Sequence, residues 1–186
     1  ASLAVELDNL AIPESISFPT ANNQQVQAFF YSPTHSQYSG MDQELPPVIA
    51  ICHGGPTGAT DSGLNLKIQY WTNRGFAVVD INYRGSTGFG RDYRHALNGQ
   101  WGIADIEDTQ YAIKYLATQQ KIDADRCIIR GSSAGGYTVL SALTFTDTFK
   151  AGASLYGIGN LETLVSDTHK FESRYLDKLV GPYPEQ

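Results

Sequence analysis

The sequence predicts an α/β protein in which a mainly parallel sheet carries helices on both faces. Apolar runs such as VIAICH alternate with segments of helical spacing, and such runs are typical of strands buried on both faces. In addition, three glycine-rich loops, HGGPTG, RGSTGFG and GSSAGG, each follow a predicted strand. Because ligand sites in parallel sheets lie at the carboxyl ends of the strands, these loops predict one site at that edge.

The first half of the chain divides at its turn residues. SISF and QVQAFFYS, joined by the polar turn TANNQ, predict a β-hairpin, and the polar segment HSQYSGMDQELPP predicts a loop. VIAICH is then a strand, and residues 64–74 form a short helix that ends at Gly75. FAVVDINY is the next strand, and RGSTGFGR is the loop that follows it.

The second half continues this alternation. From Ile103 to Gln119, apolar residues recur at helical spacing and acidic residues lie at the start, where they suit the positive end of a helix dipole. RCIIRG predicts a strand, GGYTVLSALTF a helix and KAGASLYG a further strand. The tail after Asn160 is predicted to be partly helical.

The composition argues against several classes of function. The 186 residues suit one globular domain, and a net charge of −6 argues against binding nucleic acid or an anionic membrane surface. No apolar run reaches the about 18 residues that a membrane span needs. Cys52 and Cys127 each lie in a predicted strand, so we expect buried free thiols, no disulfide and no metal site. Free thiols favour a reducing compartment such as the cytoplasm.

The segment GSSAG, residues 131–135, matches the pattern G-x-S-x-G between a predicted strand and a predicted helix. In this context the central residue, Ser133, is expected to be a nucleophile at the tip of a sharp strand-to-helix turn. Gly131 and Gly135 remove side chains that would collide there. The N–H of Ala134, at the start of the following helix, is expected to stabilise an oxyanion.

The segment HGGP, residues 53–56, is expected to supply the second oxyanion donor. Glycines expose backbone N–H groups, and we favour Gly55 over Gly54 as the donor. His53 precedes the serine and lies within this loop, so we expect it to shape the loop and not to act as the catalytic base.

Four segments together resemble the catalytic domain of the prolyl oligopeptidase family of serine peptidases. These segments are HGGPTG, INYRGSTGFGRDYRHALNGQWGIADIED, GSSAGGYT and DTHKFESRYLDKLVGPYPE. The resemblance covers most of the chain from about position 47. It implies an α/β-hydrolase fold, a Ser-Asp-His triad and no cofactor. It also implies an upstream β-propeller that restricts access to short peptides. His53, Tyr137 and Tyr156 would lie near the substrate pocket.

The chain order Ser, Asp, His of such triads raises the question of where the acid and base lie. His169 is the only histidine after Ser133, and its surroundings do not resemble the family's catalytic histidine, even with Asp147 or Asp167 as partner. We therefore expect residues 1–186 to be a partial catalytic domain, incomplete at its C-terminal end, with residues 1–46 as its N-terminal linker and hairpin. The triad acid and base would lie beyond residue 186, and an exposed sheet edge would favour homo-oligomers.

Charged residues near the site receive simpler interpretations. Asp105 and Asp108 are expected to cap and pack their helix. Arg84 and Arg91 are expected to form surface salt bridges, with recognition of a carboxylate as the alternative.

Three functions are compatible with these patterns. The first is a serine peptidase that releases short N-terminal units from peptides, although this chain alone would be largely inactive without its base. The second is a carboxylesterase with the same serine, and the third is a catalytically silent interaction domain. The NYRGSTGFG block favours the peptidase.

Overall fold

The computed structural model describes residues 6–167 and 175–181. Its strands are β1 Glu14–Pro19, β2 Gln25–Tyr31, β3 Val48–Cys52, β4 Ala77–Asn82, β5 Cys127–Ser132 and β6 Ala151–Leu155. Its helices are α1 Leu66–Thr72, α2 Arg91–His95, α3 Ala104–Thr118, α4 Ala134–Phe145, α5 Leu161–Asp167 and α6 Tyr175–Leu179, after a 3-10 turn at Leu7–Asn9.

The six strands form one sheet in the order β1-β2-β4-β3-β5-β6. The four strands from β3 to β6 run parallel, whereas β1 and β2 form an antiparallel hairpin that pairs antiparallel with β4. The predicted α/β class and mainly parallel sheet are therefore confirmed. All six residues of β4 are buried, as expected for a strand covered on both faces.

Most elements lie where the sequence predicts them, with shifts at their ends. α1 begins at Leu66, because the side chain of Asn65 caps it by accepting a hydrogen bond from the N–H of Lys67 at 3.0 Å. α2 was not predicted, since its five residues are too few to show a helical period.

The sheet separates two apolar cores. The larger lies on the side of α3 and α4 and includes Leu116, Ile129 and Val139. The smaller lies on the other side, beneath α1, and consists of Ala11, Tyr31, Ile49, Ile68 and Val78. Parallel pairing of β3 with β4 and with β5 places the carboxyl ends of these three strands side by side.

Both cysteines, Cys52 and Cys127, are buried and free, as the sequence predicts. Burial raises the pKa of the Cys52 thiol to about 12 and that of Cys127 to about 11. Both thiols are therefore protonated at neutral pH and behave as small apolar groups.

The strand β6 forms one edge of the sheet, and all five of its residues are exposed. Apolar side chains lie nearby on the surface, among them Phe145 and Tyr156, which are 78% and 81% exposed. Within the described ranges, no helix has the length and apolar character required to cross a bilayer.

Candidate active site

The turn between β5 and α4 has the geometry of a nucleophile elbow. Ser133 lies between the last residue of the strand and the first of the helix, with φ 54° and ψ −118°. A non-glycine residue at positive φ is strained, and here the surrounding bonds hold it. The N–H of Ser133 donates to the carbonyl of Leu155 at 3.0 Å, and its own carbonyl accepts from the N–H of Tyr137 at 3.1 Å. The Ser133 side chain is exposed at the carboxyl edge of the sheet.

The two glycines of the elbow are required by close backbone contacts. A Cβ on Gly131 would lie 2.2 Å from the carbonyl oxygen of Gly135. A Cβ on Gly135 would lie 2.1 Å from the carbonyl oxygen of Cys52, at the end of β3. The pattern G-x-S-x-G is therefore explained at both ends by the packing of the elbow against β3.

The oxyanion loop, residues 53–58, lies against this elbow. A Cβ on Gly54 would be 3.5 Å from the Cβ of Ser133, and Gly55 has φ +136°, which favours glycine. Among the described residues, no hydrogen bond engages the N–H of Gly54, Gly55 or Ala134. The elbow and the adjoining loop thus keep three N–H donors without a partner in the described part of the chain. Their catalytic role, and the preference for Gly55, remain predictions.

His53 is held within the loop and forms no hydrogen bond with Ser133. Its Nδ1 donates to the carbonyl of Gly54 at 2.8 Å, and its Nε2 lies 2.7 Å from Oγ of Ser86. The ring stacks on Tyr83 with centroids 4.3 Å apart. Burial lowers the pKa of His53, and the hydrogen bond to the Gly54 carbonyl opposes this shift. These contacts fit a role in shaping the loop, and contact with substrate stays a prediction.

The two predicted pocket tyrosines lie in different environments. Tyr137, in the first turn of α4, is half-buried, and its ring packs on Trp101 with centroids 4.9 Å apart. Tyr156 directly follows β6 and is exposed, at the same edge of the sheet as Ser133. Substrate contact by either residue remains a prediction.

The position of Asp147 argues against it as the acid of a triad with Ser133 and His169. Asp147 is exposed and lies between α4 and β6, before β6 begins. Because β5 and β6 are parallel, Asp147 lies at the amino ends of the strands and Ser133 at the carboxyl ends. His169 and the side chain of Asp167 lie outside the described residues. The identity of the base and its acid therefore remains a prediction.

Asp105 ties the start of α3 to the helix of the elbow. Its side chain is buried and accepts from the N–H of Gly102 at 2.6 Å and from the hydroxyl of Thr138, on α4, at 2.5 Å. Burial raises its pKa, and these bonds oppose the shift. The expected role in capping and packing is thus present, with an added contact that fixes α4.

The prediction of a surface salt bridge is wrong for Arg84. Arg84 is 7% exposed, its Nε donates to Oδ1 of Asp108 at 2.8 Å, and its backbone N–H donates to Oδ2 of Asp108 at 2.7 Å. Its guanidinium also binds Gln24, at 2.8 Å, and Glu107. With these partners, Arg84 is not available to recognise a substrate carboxylate and instead joins the turn after β4 to α3.

Sequence reasoning missed the residues that hold the oxyanion loop. Tyr83 is fully buried, and its hydroxyl donates to the carbonyl of His53 at 2.9 Å. The N–H of Thr87 donates to the carbonyl of Gly58 at 2.7 Å. Both residues lie in the NYRGST segment, so the adjacency of the two glycine-rich loops was the available signal. The hydrogen bond between Tyr175 and Thr57 could not be predicted from a local pattern, because the two residues are 118 positions apart in the sequence.

A serine at an elbow of this geometry, at the carboxyl edge of a mixed sheet, defines a serine hydrolase of the α/β-hydrolase fold. Residues 62–186 match the model of the prolyl oligopeptidase family. The chain belongs to this family, and the resemblance stated from the sequence is confirmed.

The chain is similar in sequence or structure to several known peptidases. It is 37% identical over 135 residues to dipeptidyl aminopeptidase BIII of Pseudoxanthomonas mexicana, covering 72% of this chain and 20% of that protein. A puromycin-hydrolyzing peptidase of Mycobacterium tuberculosis has a similar structure, with a TM-score of 0.96 and 42% identity over 98% of this chain and 28% of that one. The structure of acylaminoacyl peptidase of Pyrococcus horikoshii is also similar, with a TM-score of 0.82 and 27% sequence identity. The match covers 94% of this chain and 27% of that one. The chain thus spans under a third of each of these proteins.

Proposed function

We propose that this chain is the nucleophile-bearing part of a serine peptidase that releases short N-terminal units from peptides. The observation that carries the proposal is the strained and exposed Ser133, which lies at the start of α4 and against the glycine loop at Gly54. The similarity of the chain to a dipeptidyl aminopeptidase and to an acylaminoacyl peptidase supports a peptide substrate whose N-terminus lies near the cleaved bond.

In the proposed reaction the Ser133 hydroxyl attacks the scissile carbonyl and passes its proton to a histidine. The Gly55 and Ala134 N–H groups donate to the oxyanion of the tetrahedral intermediate. The intermediate then collapses to an acyl-enzyme as the histidine protonates the leaving amine, and water releases the acyl group by the reverse sequence. The histidine and its orienting aspartate are proposed to lie beyond residue 186.

Further parts of the proposal concern the whole protein. A β-propeller before this chain would limit substrates to short peptides. The exposed edge strand β6 supports further pairing, with another part of the polypeptide or with a second copy. The two buried free thiols support a cytoplasmic location.

Replacing Ser133 with alanine in the full-length protein is expected to lower kcat for a dipeptide p-nitroanilide by at least about 10⁴-fold, because the acyl-enzyme can no longer form. The control is Ser132→Ala, which changes the neighbouring serine and is expected to retain activity. Full activity in Ser133→Ala would refute the proposal.

The same assay separates the two alternative functions. Turnover of p-nitrophenyl esters without turnover of peptide anilides would indicate the carboxylesterase. A folded full-length protein that turns over neither substrate would indicate the silent interaction domain.

A further inference from the structure

The oxyanion loop receives one contact from a distant part of the chain. The N–H of Thr57 donates to the hydroxyl of Tyr175 at 2.9 Å, and that hydroxyl donates to Oγ1 of Thr57 at 2.5 Å. The tyrosine therefore binds both the backbone and the side chain of one residue. Thr57 lies two positions after Gly55, the proposed oxyanion donor.

The loop itself contains no helix or strand, so its shape depends on such contacts. Tyr83 holds its first residue through the carbonyl of His53, and Thr87 holds its last through the carbonyl of Gly58. Tyr175 holds the middle. In the described part of the chain, Thr57 has no other hydrogen-bond partner, and the centre of the loop has one further contact from outside it, a long one from the Tyr83 hydroxyl to the carbonyl of Pro56 at 3.4 Å.

Tyr175 lies on an element with its own fixed position. Two residues of α6, Leu176 and Leu179, are buried in the larger core at 7% and 3% exposure. The N–H of Gly99 donates to the carbonyl of Lys178 at 2.9 Å. The helix is thus anchored independently of the loop and can serve as a rigid support for it.

We propose that Tyr175 is a positioning residue that fixes the oxyanion loop, so that the Gly55 N–H is in place before the oxyanion forms. This inference rests on the proposed function. Oxyanion donors act because they are already oriented when charge develops, and misplacement by about 1 Å can cost on the order of 100-fold in rate. Since the donor acts on the transition state, losing its support lowers kcat and leaves KM nearly unchanged.

The test is Tyr175→Phe in the full-length protein, which removes the hydroxyl and keeps the ring. We expect kcat for a dipeptide p-nitroanilide to fall about tenfold while KM stays within about twofold. A peptide aldehyde, which forms a tetrahedral adduct with the serine, should bind more weakly by about the same factor as kcat falls. The matched control is Tyr70→Phe, since the half-exposed Tyr70 on α1 uses its hydroxyl in no hydrogen bond among the described residues.

A second variant approaches the same contact from the loop. Thr57→Val removes Oγ1 and keeps the backbone N–H, so it should lower kcat by less than Tyr175→Phe, and the double variant should lose little more than Tyr175→Phe alone. This non-additivity, with an unchanged melting temperature, distinguishes positioning from general stabilisation. If Tyr175→Phe does not fold, Thr57→Val alone still tests the contact, and wild-type kcat in that variant would then overturn the inference.

Two results would overturn the inference while leaving the proposed function intact. One is wild-type kcat and aldehyde affinity in Tyr175→Phe; the other is a loss confined to KM. An absence of serine-dependent turnover in the wild-type protein would instead overturn the proposed function, and this inference with it.

Discussion

Replacing Asp108 with alanine is expected to destabilise the fold by about 3–5 kcal/mol, because it leaves the buried charge of Arg84 without its main partner. Asp108 is fully buried and accepts from both the side chain and the backbone N–H of Arg84. Burial raises the pKa of the carboxyl to about 6 and the Arg84 bonds oppose the shift, so the pair is ionised at pH 7. The remaining partner carboxylate, Glu107, is 31% exposed and cannot replace these bonds.

Urea unfolding followed by circular dichroism measures this loss. Asp147→Ala is the control, since this exposed aspartate at the far edge of the sheet should change stability by less than about 0.5 kcal/mol. A loss below 1 kcal/mol in Asp108→Ala would show that the Arg84 contact contributes little to the fold.

Replacing Gly135 with alanine is expected to lower kcat/KM by about 100-fold and to cost about 1–3 kcal/mol of stability, because the added methyl overlaps fixed backbone. The new Cβ would lie 2.1 Å from the Cys52 carbonyl oxygen and 2.8 Å from that of His53. Both oxygens belong to the end of β3 and the start of the oxyanion loop, where no flexible side chain can move aside. Relief therefore requires α4 and the loop to separate, which moves Ser133 away from the proposed oxyanion donor in the loop, Gly55.

Peptidase kinetics and urea unfolding of the full-length variant measure the two effects. The matched control is Gly40→Ala, because a Cβ at Gly40 meets no atom within 4 Å and its φ is not in the left-handed region. Wild-type kcat/KM in Gly135→Ala would show that the elbow does not depend on close contact between α4 and β3.

The sequence predicted the parts of the fold and site that depend on local pattern. The runs of β3 and β4 are mainly apolar because both of their faces are covered, and the elbow at Ser133 needs glycines at fixed spacing. These constraints act over a few residues, so they are visible in one sequence. The adjacency of the three glycine-rich loops followed from the rule for parallel strands.

The remaining features depend on contacts that no local pattern reveals. Arg84 was expected at the surface because arginine usually is, and only the packing of β4 against α3 shows that Asp108 pairs with it in the interior. Tyr175 reaches Thr57 because α6 folds back over the loop. A five-residue helix far along the chain gives no indication of that return.

The central claim is that Ser133 is the nucleophile, and covalent labelling tests it most directly. The full-length protein would be treated with a fluorophosphonate, digested with trypsin and analysed by mass spectrometry. The expected result is one adduct on the peptide of residues 131–150, located by fragmentation to Ser133 and not to Ser132, and absent in Ser133→Ala. An adduct on another residue, or undiminished labelling of Ser133→Ala, would contradict the account.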